Sequence, residues 1–300
     1  MDSNLEEGIP DFPWETLDSD IERWLAEDIG RGDVTSDYLP LDGMKVTAEV
    51  LAKSIGGVAC GVSGFLRVLR RSDPDLVVEK AVADGTPYQR GDVLIRVTGD
   101  ARKLLHAERT ALNLLNHLSG IAGLTSAFVK RIAGTRAKIV DTRKTTPGLR
   151  ALEKYAVRCG GGSNHRFDLS ASVMLKDNHI VLVGHELEQA IALLRSKSGH
   201  TVKIEVEVDD IDQVERAAAA GADIVMLDNM TPDDGREAVQ LVGDTVIVEA
   251  SGGVTLENVR DWAESGVTII SVGLITHSAP SADLSLEFSS PGPMKEKHLS

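Results

Sequence analysis

Ten basic residues fall between Arg131 and Lys176, opposed there only by Asp141, Glu153 and Asp168, in a chain whose formal charge is −14. A local surplus of cations in an acidic protein points to a small polyanionic ligand, because a pocket of one sign focuses the field that a dispersed surface spreads. Arg143, Lys144, Arg166 and Lys176 sit in turns rich in Gly, Thr and His or at the ends of strand-like runs, with His165 and His179 nearby. Arg150, Lys154 and Arg158 instead repeat every fourth position, the spacing of one helical stripe, and are expected to form a solvated face. Glu205 and Glu207 are two positions apart and so share one face of a strand. Asp228 ends another run, and Ser251-Gly252-Gly253 and Gly273 close two more. Such carboxylates can hold Mg²⁺ or ribose hydroxyls, with phosphates completing the metal's shell. The SGG turn precedes the helical stretch TLENVRDWAESG, which has the form of a phosphate site made from backbone N–H groups at a helix N-terminus. Glycine there allows the close approach. No zincin, nucleophile-elbow, Walker or CxxC pattern is present, so those chemistries have no support.

These residues need a frame that gathers strand ends. AKIVDT, SVMLKD, VKIEVEV, DIVMLD, TVIVEAS and TIISVG are short β-rich runs, most of them separated by helical segments such as DIDQVERAAAAG and TPDDGREAVQLVG. The last three strand-to-strand steps are 21, 22 and 22 residues, the length of one βα unit. Repeated crossovers imply a parallel α/β barrel or a doubly wound sheet. The barrel is favoured because reactive residues fall at the C-terminal end of nearly every strand, where barrel active sites lie. Ahead of this region, residues 18–28 read as a helix, 44–53 as a strand alternating Val46, Ala48 and Val50, and LVVEKAV and DVLIRVTG as further strands. Residues 101–118 read as a helix with an apolar stripe through Leu104, Ala111, Leu115 and Leu118. Arg102, Arg109, Asn113 and Asn116 lie on another face, a polar stripe that is ordinarily solvated but could instead look into a cleft or a partner subunit. The tail after Phe288 is expected to fray.

Composition narrows the class. With 300 residues and 42% apolar content, the chain can bury a sizeable core. Its acidity argues against a general nucleic-acid or membrane-surface binder. No apolar run is long enough to span a bilayer. The acidic, proline-broken N-terminus resembles neither a signal nor a transit peptide. Cys60 and Cys159 are too few for a disulfide framework and are expected to be reduced thiols, so a cytoplasmic location is expected.

Eight segments carry a family resemblance: EDIGRGDVTS (27–36), ERTALNLLNHLSGIA (108–122), DTRKTTPGLRALEKYAVRCGGGSNHRFDL (141–169), MLKDNHI (174–180), IEVEV (204–208), DIVMLDNM (223–230), VEASGGV (248–254) and GVTIISVG (266–273). On them the chain closely resembles the quinolinate phosphoribosyltransferase family. Phe167-Asp168 stand where many members carry Gly. The resemblance implies a transferase that joins quinolinate to phosphoribosyl pyrophosphate with Mg²⁺, releasing nicotinate mononucleotide, pyrophosphate and CO₂ in NAD biosynthesis. It also implies an N-terminal α/β sandwich domain over residues 1–117, with 276–300 packing back on it, and an open, seven-stranded-type α/β barrel over 118–275. A homodimer, with a hexamer also open, would share its active sites, Arg109 reaching into the partner's barrel.

By the same resemblance, Arg109, Arg143, His165, Arg166 and Lys176 would clamp quinolinate. Lys144 would reach phosphoribosyl pyrophosphate, and Glu207 and Asp228 would position its ribose and Mg²⁺, partly through water. Ser251, Gly252, Gly253 and Gly273 would hold phosphate. Lys144, Lys176, Glu207 and Asp228 are the expected catalytic groups, with Glu205 the alternative to Glu207. A paralogous family associated with molybdenum transport shares many of these motifs. The complete cation set from DTRKTTPG through HR to KDNH favours the quinolinate enzyme. A catalytically inert barrel would lack charges at strand ends, and none is missing.

Overall fold

The computed structural model describes residues 11–53, 55–184 and 186–289. Residues 1–10 and the tail from Ser290, expected to fray, lie outside the described residues. The chain divides into two compact units: the described residues up to Gly123 and from Pro280 onward form one, and Leu124–Ala279 form the other.

The first unit contains α1 (Asp18–Ile29), β1 (Lys45–Ala52), β2 (Gly56–Val58), α2 (Val62–Ser72), β3 (Val77–Ala81), β4 (Pro87–Gln89), β5 (Val93–Asp100) and the start of α3 (Ala101–Arg131). Val46, Ala48, Val50 and Ala52 are buried while the intervening residues are less so, the alternation of a strand with one face on a core. β1 pairs antiparallel with β5 on one side and with the C-terminal strand (Leu284–Phe288) on the other, placing Ala48 opposite both Val97 and Phe288. β3 completes a four-stranded antiparallel sheet, and β2 and β4 form a separate pair. α2 is absent from the sequence reading because GVSG resembles a turn. Its glycine instead makes room: a Cβ on Gly64 would lie 2.5 Å from the Trp14 ring.

α3 runs 31 residues, well past the end expected at 118. Ser119-Gly120 looks like a helix stop, but Gly120 serves a close approach. A Cβ there would fall 2.2 Å from the Pro280 carbonyl oxygen.

In the second unit the chain continues through β6 (Lys138–Val140), α4 (Arg150–Cys159), β7 (Val173–Leu175), α5 (Asp177–Val183), α6 (Leu187–Lys197), β8 (Ile204–Val208), α7 (Ile211–Ala219), β9 (Ile224–Asp228), α8 (Pro232–Val242), β10 (Ile247–Ser251), α9 (Val259–Glu264), β11 (Ile269–Ser271) and α10 (Leu274–His277), after which the strand at Leu284–Phe288 is β12. The six strands β6, β11, β10, β9, β8 and β7 form, in that order, one parallel sheet, with β6 and β7 at its ends. These are the six runs read from the sequence. Beside β6 a single parallel bridge joins Val140 to Ser163, at the place of a seventh strand. One bridged residue carries no alternation, so the pattern could not reveal it. One face of the central strands is apolar: Val206, Val225 and Val248 lie in register across it, as do Leu227 and Ala250, and all five are buried, while the opposite face carries Glu205, Glu207, Met226 and Glu249.

The expected solvated stripe on α4 is corrected at Lys154, which is buried, while Arg150 and Arg158 are half-buried. Lys154 is 3% exposed, and its ammonium meets the fully buried Asp141 carboxylate. Arg150 donates to the Thr145 hydroxyl at 3.0 Å and the Phe167 carbonyl at 3.3 Å, and Arg158 lies 5.8 Å from the Tyr155 ring centroid. Helical spacing reports a shared face but not what covers it. The Asp141–Lys154 pair is fully connected. Asn164 Nδ2 donates to Asp141 Oδ2 at 2.6 Å and to the Lys154 carbonyl at 2.9 Å, and the His165 amide donates to Asp141 Oδ1 at 2.8 Å. Burial raises the Asp141 pKa and lowers that of Lys154, in each case against the pull of the partner charge.

Two stability effects are expected. Lys154→Met leaves Asp141 buried without its cation and costs about 3–5 kcal/mol in urea unfolding, while adding Asp141→Asn to it recovers part of the loss. Gly120→Ala forces its methyl into Pro280 and costs about 1–3 kcal/mol in the same assay. An unchanged midpoint in either single variant would contradict the packing described.

Candidate active site

The C-terminal ends of the parallel strands deliver side chains to one cavity of about 560 Å³. After β6 come Thr142, Arg143 and Lys144, from the bridged segment His165 and Arg166, and from the end of β7 Met174 and Lys176. β8 supplies Glu207, β9 supplies Met226, Asp228 and Asn229, β10 supplies Ser251, Gly252 and Gly253, and β11 supplies Ser271. Ten of the residues expected from the sequence therefore line one space. A smaller cavity of about 280 Å³ adjoins it, sharing Glu207 and Asp228 and adding Asp177, Glu186, Asp209 and Arg216 among its lining groups.

Two expected residues stand apart from that lining. Gly273 lies under the Lys144 side chain, where a Cβ would sit 3.1 Å from Lys144 Cδ, so its part is to let that chain pass. Arg109 is exposed on α3 in the first unit. The phosphate site at a helix N-terminus is corrected. α9 is only six residues long and starts at Val259, well beyond Gly253. After β10 the chain makes a turn with positive φ at Gly252 and Gly253, +85° and +60°. A Cβ at Gly252 would lie 2.2 Å from Asn229 Oδ1, so the turn after β10 and the turn after β9 abut only because that Cβ is missing. The Asn229 amide donates to the Ser251 carbonyl at 3.0 Å, tying the two turns together.

The cations are held differently from one another. Arg166 donates to the Ser172 carbonyl at 2.9 Å and approaches Met174 Sδ at 3.5 Å, while its Nε is buried without a hydrogen-bond partner among the described residues. Arg143 Nε is likewise buried with no partner among the described residues. A buried N–H without an acceptor is costly, so the two guanidiniums are prepared for acceptors that a ligand would bring. Burial, and then the charge of Arg143, lower the pKa of Arg166. Lys144 is anchored by its backbone: its amide donates to the Thr142 hydroxyl at 3.0 Å, and its carbonyl accepts the Thr276 hydroxyl at 2.7 Å. Lys176 is ion-paired with Glu207.

His165 lies over two buried carboxylates. Its Nε2 is 3.3 Å from Glu205 Oε2 and 3.4 Å from Glu249 Oε1. Burial alone would depress its pKa, but hydrogen bonds and charge from Glu205 and Glu249 outweigh it and raise the pKa to about 10. Burial pushes the Glu205 pKa upward. Of the two glutamates left open by the sequence, Glu207 lines both cavities and Glu205, 2% exposed, lines neither. Glu249 went unnoticed in the sequence. Its signal was an acid set inside the apolar run TVIVEA, where a carboxylate must have a buried partner.

Over residues 121–287 the chain matches the model of the quinolinate phosphoribosyl transferase C-terminal domain, and over 33–119 that of the N-terminal domain. It is 44% identical over 270 residues to a Bacillus subtilis (strain 168) protein named probable nicotinate-nucleotide pyrophosphorylase (carboxylating), covering 89% of this chain and 91% of that one. A Mycobacterium leprae (strain TN) protein named nicotinate-nucleotide pyrophosphorylase (carboxylating) is 40% identical over 286 residues, covering 93% and 99%. The crystal structure of NadC from Streptococcus pyogenes superposes with a TM-score of 0.88 at 38% identity, covering 93% of this chain and 99% of that one. Matched across both domain models and along nearly its whole length, the chain belongs to the quinolinate phosphoribosyltransferase family.

Proposed function

We propose that this chain transfers the phosphoribosyl group of phosphoribosyl pyrophosphate to quinolinate with loss of CO₂, giving nicotinate mononucleotide and pyrophosphate for NAD biosynthesis. The observation that carries the reading is the single cavity where Arg143, Lys144, His165, Arg166 and Lys176 face Glu207, Asp228 and a glycine turn. Quinolinate is a dicarboxylate, and the unpartnered Nε–H groups of Arg143 and Arg166 suit its oxygens, since Arg–carboxylate pairs fix orientation as well as charge.

In the reaction the pyridine nitrogen forms a bond to the anomeric carbon of the ribose, and the bond from that carbon to pyrophosphate breaks. Positive charge grows on the ribose ring, next to which Glu207 and Asp228 stabilise it. Lys144 supports the departing pyrophosphate. The nitrogen, now a pyridinium, withdraws the electron pair left on the adjacent carbon when its carboxylate departs as CO₂. A proton then replaces the lost group. Holding two anions together in the right geometry contributes alongside charge.

Asp228 and Glu207 are oxygen donors on the wall common to both cavities, which fits Mg²⁺. Asp228 Oδ2 accepts from Asn229 Nδ2 at 3.0 Å, whereas Glu207 is engaged by Lys176, so Asp228 is the readier ligand. When bound there, Mg²⁺ would neutralise pyrophosphate oxygens. The assembly is a homodimer in this reading, with Arg109 entering the partner's site. Its exposed place on α3 supports that role. Among the described residues no helix is long and apolar enough to cross a membrane, and a cytoplasmic location remains part of the proposal.

The primary experiment is product analysis of purified protein with quinolinate, phosphoribosyl pyrophosphate and Mg²⁺, following CO₂ release. Absence of nicotinate mononucleotide sinks the assignment. Lys144→Ala and Arg166→Ala each lower turnover at least about tenfold, equivalent to about 1.4 kcal/mol at the transition state. Native rates in the folded variants remove those residues from the site. EDTA is expected to abolish turnover and added Mg²⁺ to restore it. Co-expressed Arg109→Ala and Lys144→Ala chains should regain about a quarter of native activity, because half the dimers are mixed and each of those has one intact shared site. Activity no higher than that of the separate variants would place Arg109 in its own chain's site or outside the chemistry.

A further inference from the structure

Glu205 on β8 and Glu249 on β10 are each 2% exposed. Both oppose the same atom, His165 Nε2, and the three groups offer ligand atoms within 4.8 Å of one another. Glu249 also accepts the Ser271 hydroxyl from β11. The other ring nitrogen, Nδ1, accepts the backbone N–H of Arg166 at 2.7 Å. The His165 backbone is fixed as well, with its amide on Asp141 and its carbonyl accepting Lys154 Nζ at 3.1 Å. Two buried carboxylates aimed at one nitrogen are tolerable only if that nitrogen carries a proton between them. An acceptor role for Nδ1 in the neutral ring also places the proton on Nε2. The carboxylates favour a second ring proton and the Arg166 amide opposes it. In either charge state Nε2 keeps its own.

We propose that Glu205 and Glu249 are positioning residues for the dicarboxylate substrate: they accept the Nε2–H of His165, fix its ring, and with it fix the segment from which the Arg166 side chain enters the cavity. They touch no reacting atom, since neither lines the cavity. Glu205 also sets a negative charge near the Arg166 guanidinium. The inference rests on the reading of His165 and Arg166 as groups that bind quinolinate.

Glu→Gln at either position preserves shape and removes the charge. Losing a charge-assisted hydrogen bond to His165 is expected to raise the KM for quinolinate about tenfold in Glu249→Gln and in Glu205→Gln, with the KM for phosphoribosyl pyrophosphate within about twofold of native. In a His165→Ala background, Glu249→Gln should change the quinolinate KM less than about twofold, because its effect passes through the ring. An equal loss in both backgrounds, or equal rises in both KM values, overturns the proposal. The native protein gives a second readout that needs no folded Glu→Gln variant. With ¹⁵N-labelled histidine, His165 Nε2 should be protonated from pH 6 to 8. An unprotonated Nε2, whether from the other tautomer or a bound metal ion, overturns it. Should His165→Ala keep native quinolinate affinity, the substrate-binding reading of His165 fails, and the ¹⁵N spectrum still decides the positioning claim.

Discussion

Crowding of like charge is the constraint on which this site depends. Arg143, Lys144, Arg166 and Lys176 converge on one cavity, and without counter-charge they would repel one another and resist burial. The fold answers with carboxylates at two depths. Glu207 and Asp228 stand on the wall itself, while Glu205 and Glu249 lie beneath it on β8 and β10, the strands on either side of β9. The deeper pair is faced by His165, whose Nε2 lies over both carboxylates, and His165 is held there by the bonds of Asp141 and Lys154 to its backbone. The cationic face and the acidic core are therefore two halves of one electrostatic arrangement, with the segment around His165 as the joint.

That segment also shows where the fold departs from a regular repeat. Ser163 bridges β6 by a single residue, and the chain then reaches β7 without a helix. A regular strand and crossover at this place would present side chains alternately to two faces. The irregular path instead turns His165 and Arg166 toward the same cavity. The glycines of the later turns act in the same spirit: Gly252 admits Asn229, and Gly273 admits the stem of Lys144.

The second unit was largely legible in the sequence because its strands end in chemistry. DTRK, KD, EVE, LDN and ASGG each mark a rim position by residue type, and the regular step of the last units gives the crossovers. Less was legible where residue type and environment part company. Lys154 has the spacing of a surface stripe, yet it is buried because Asp141, just after β6 and ahead of the helix, comes to meet it. Gly64 and Gly120 read as breaks but are contact points inside helices, which no local pattern can distinguish. Glu249 was hidden by the apolar strand around it, and its importance comes from a partner on a segment more than eighty residues earlier. Ser163 forms one bridge, too little to generate a period.

The Lys176–Glu207 pair has a thermodynamic corollary. In the proposed function, a carboxylate arriving at Lys176 would compete with Glu207 for the same ammonium, and a ribose or cation arriving at Glu207 would compete with Lys176. Each ligand would thus perform part of the separation work that the other would otherwise have to supply. Linkage would make this reciprocal: the two affinities would strengthen one another by the same factor. A single internal contact would in this way synchronise occupancy of the two proposed subsites without any movement of the backbone.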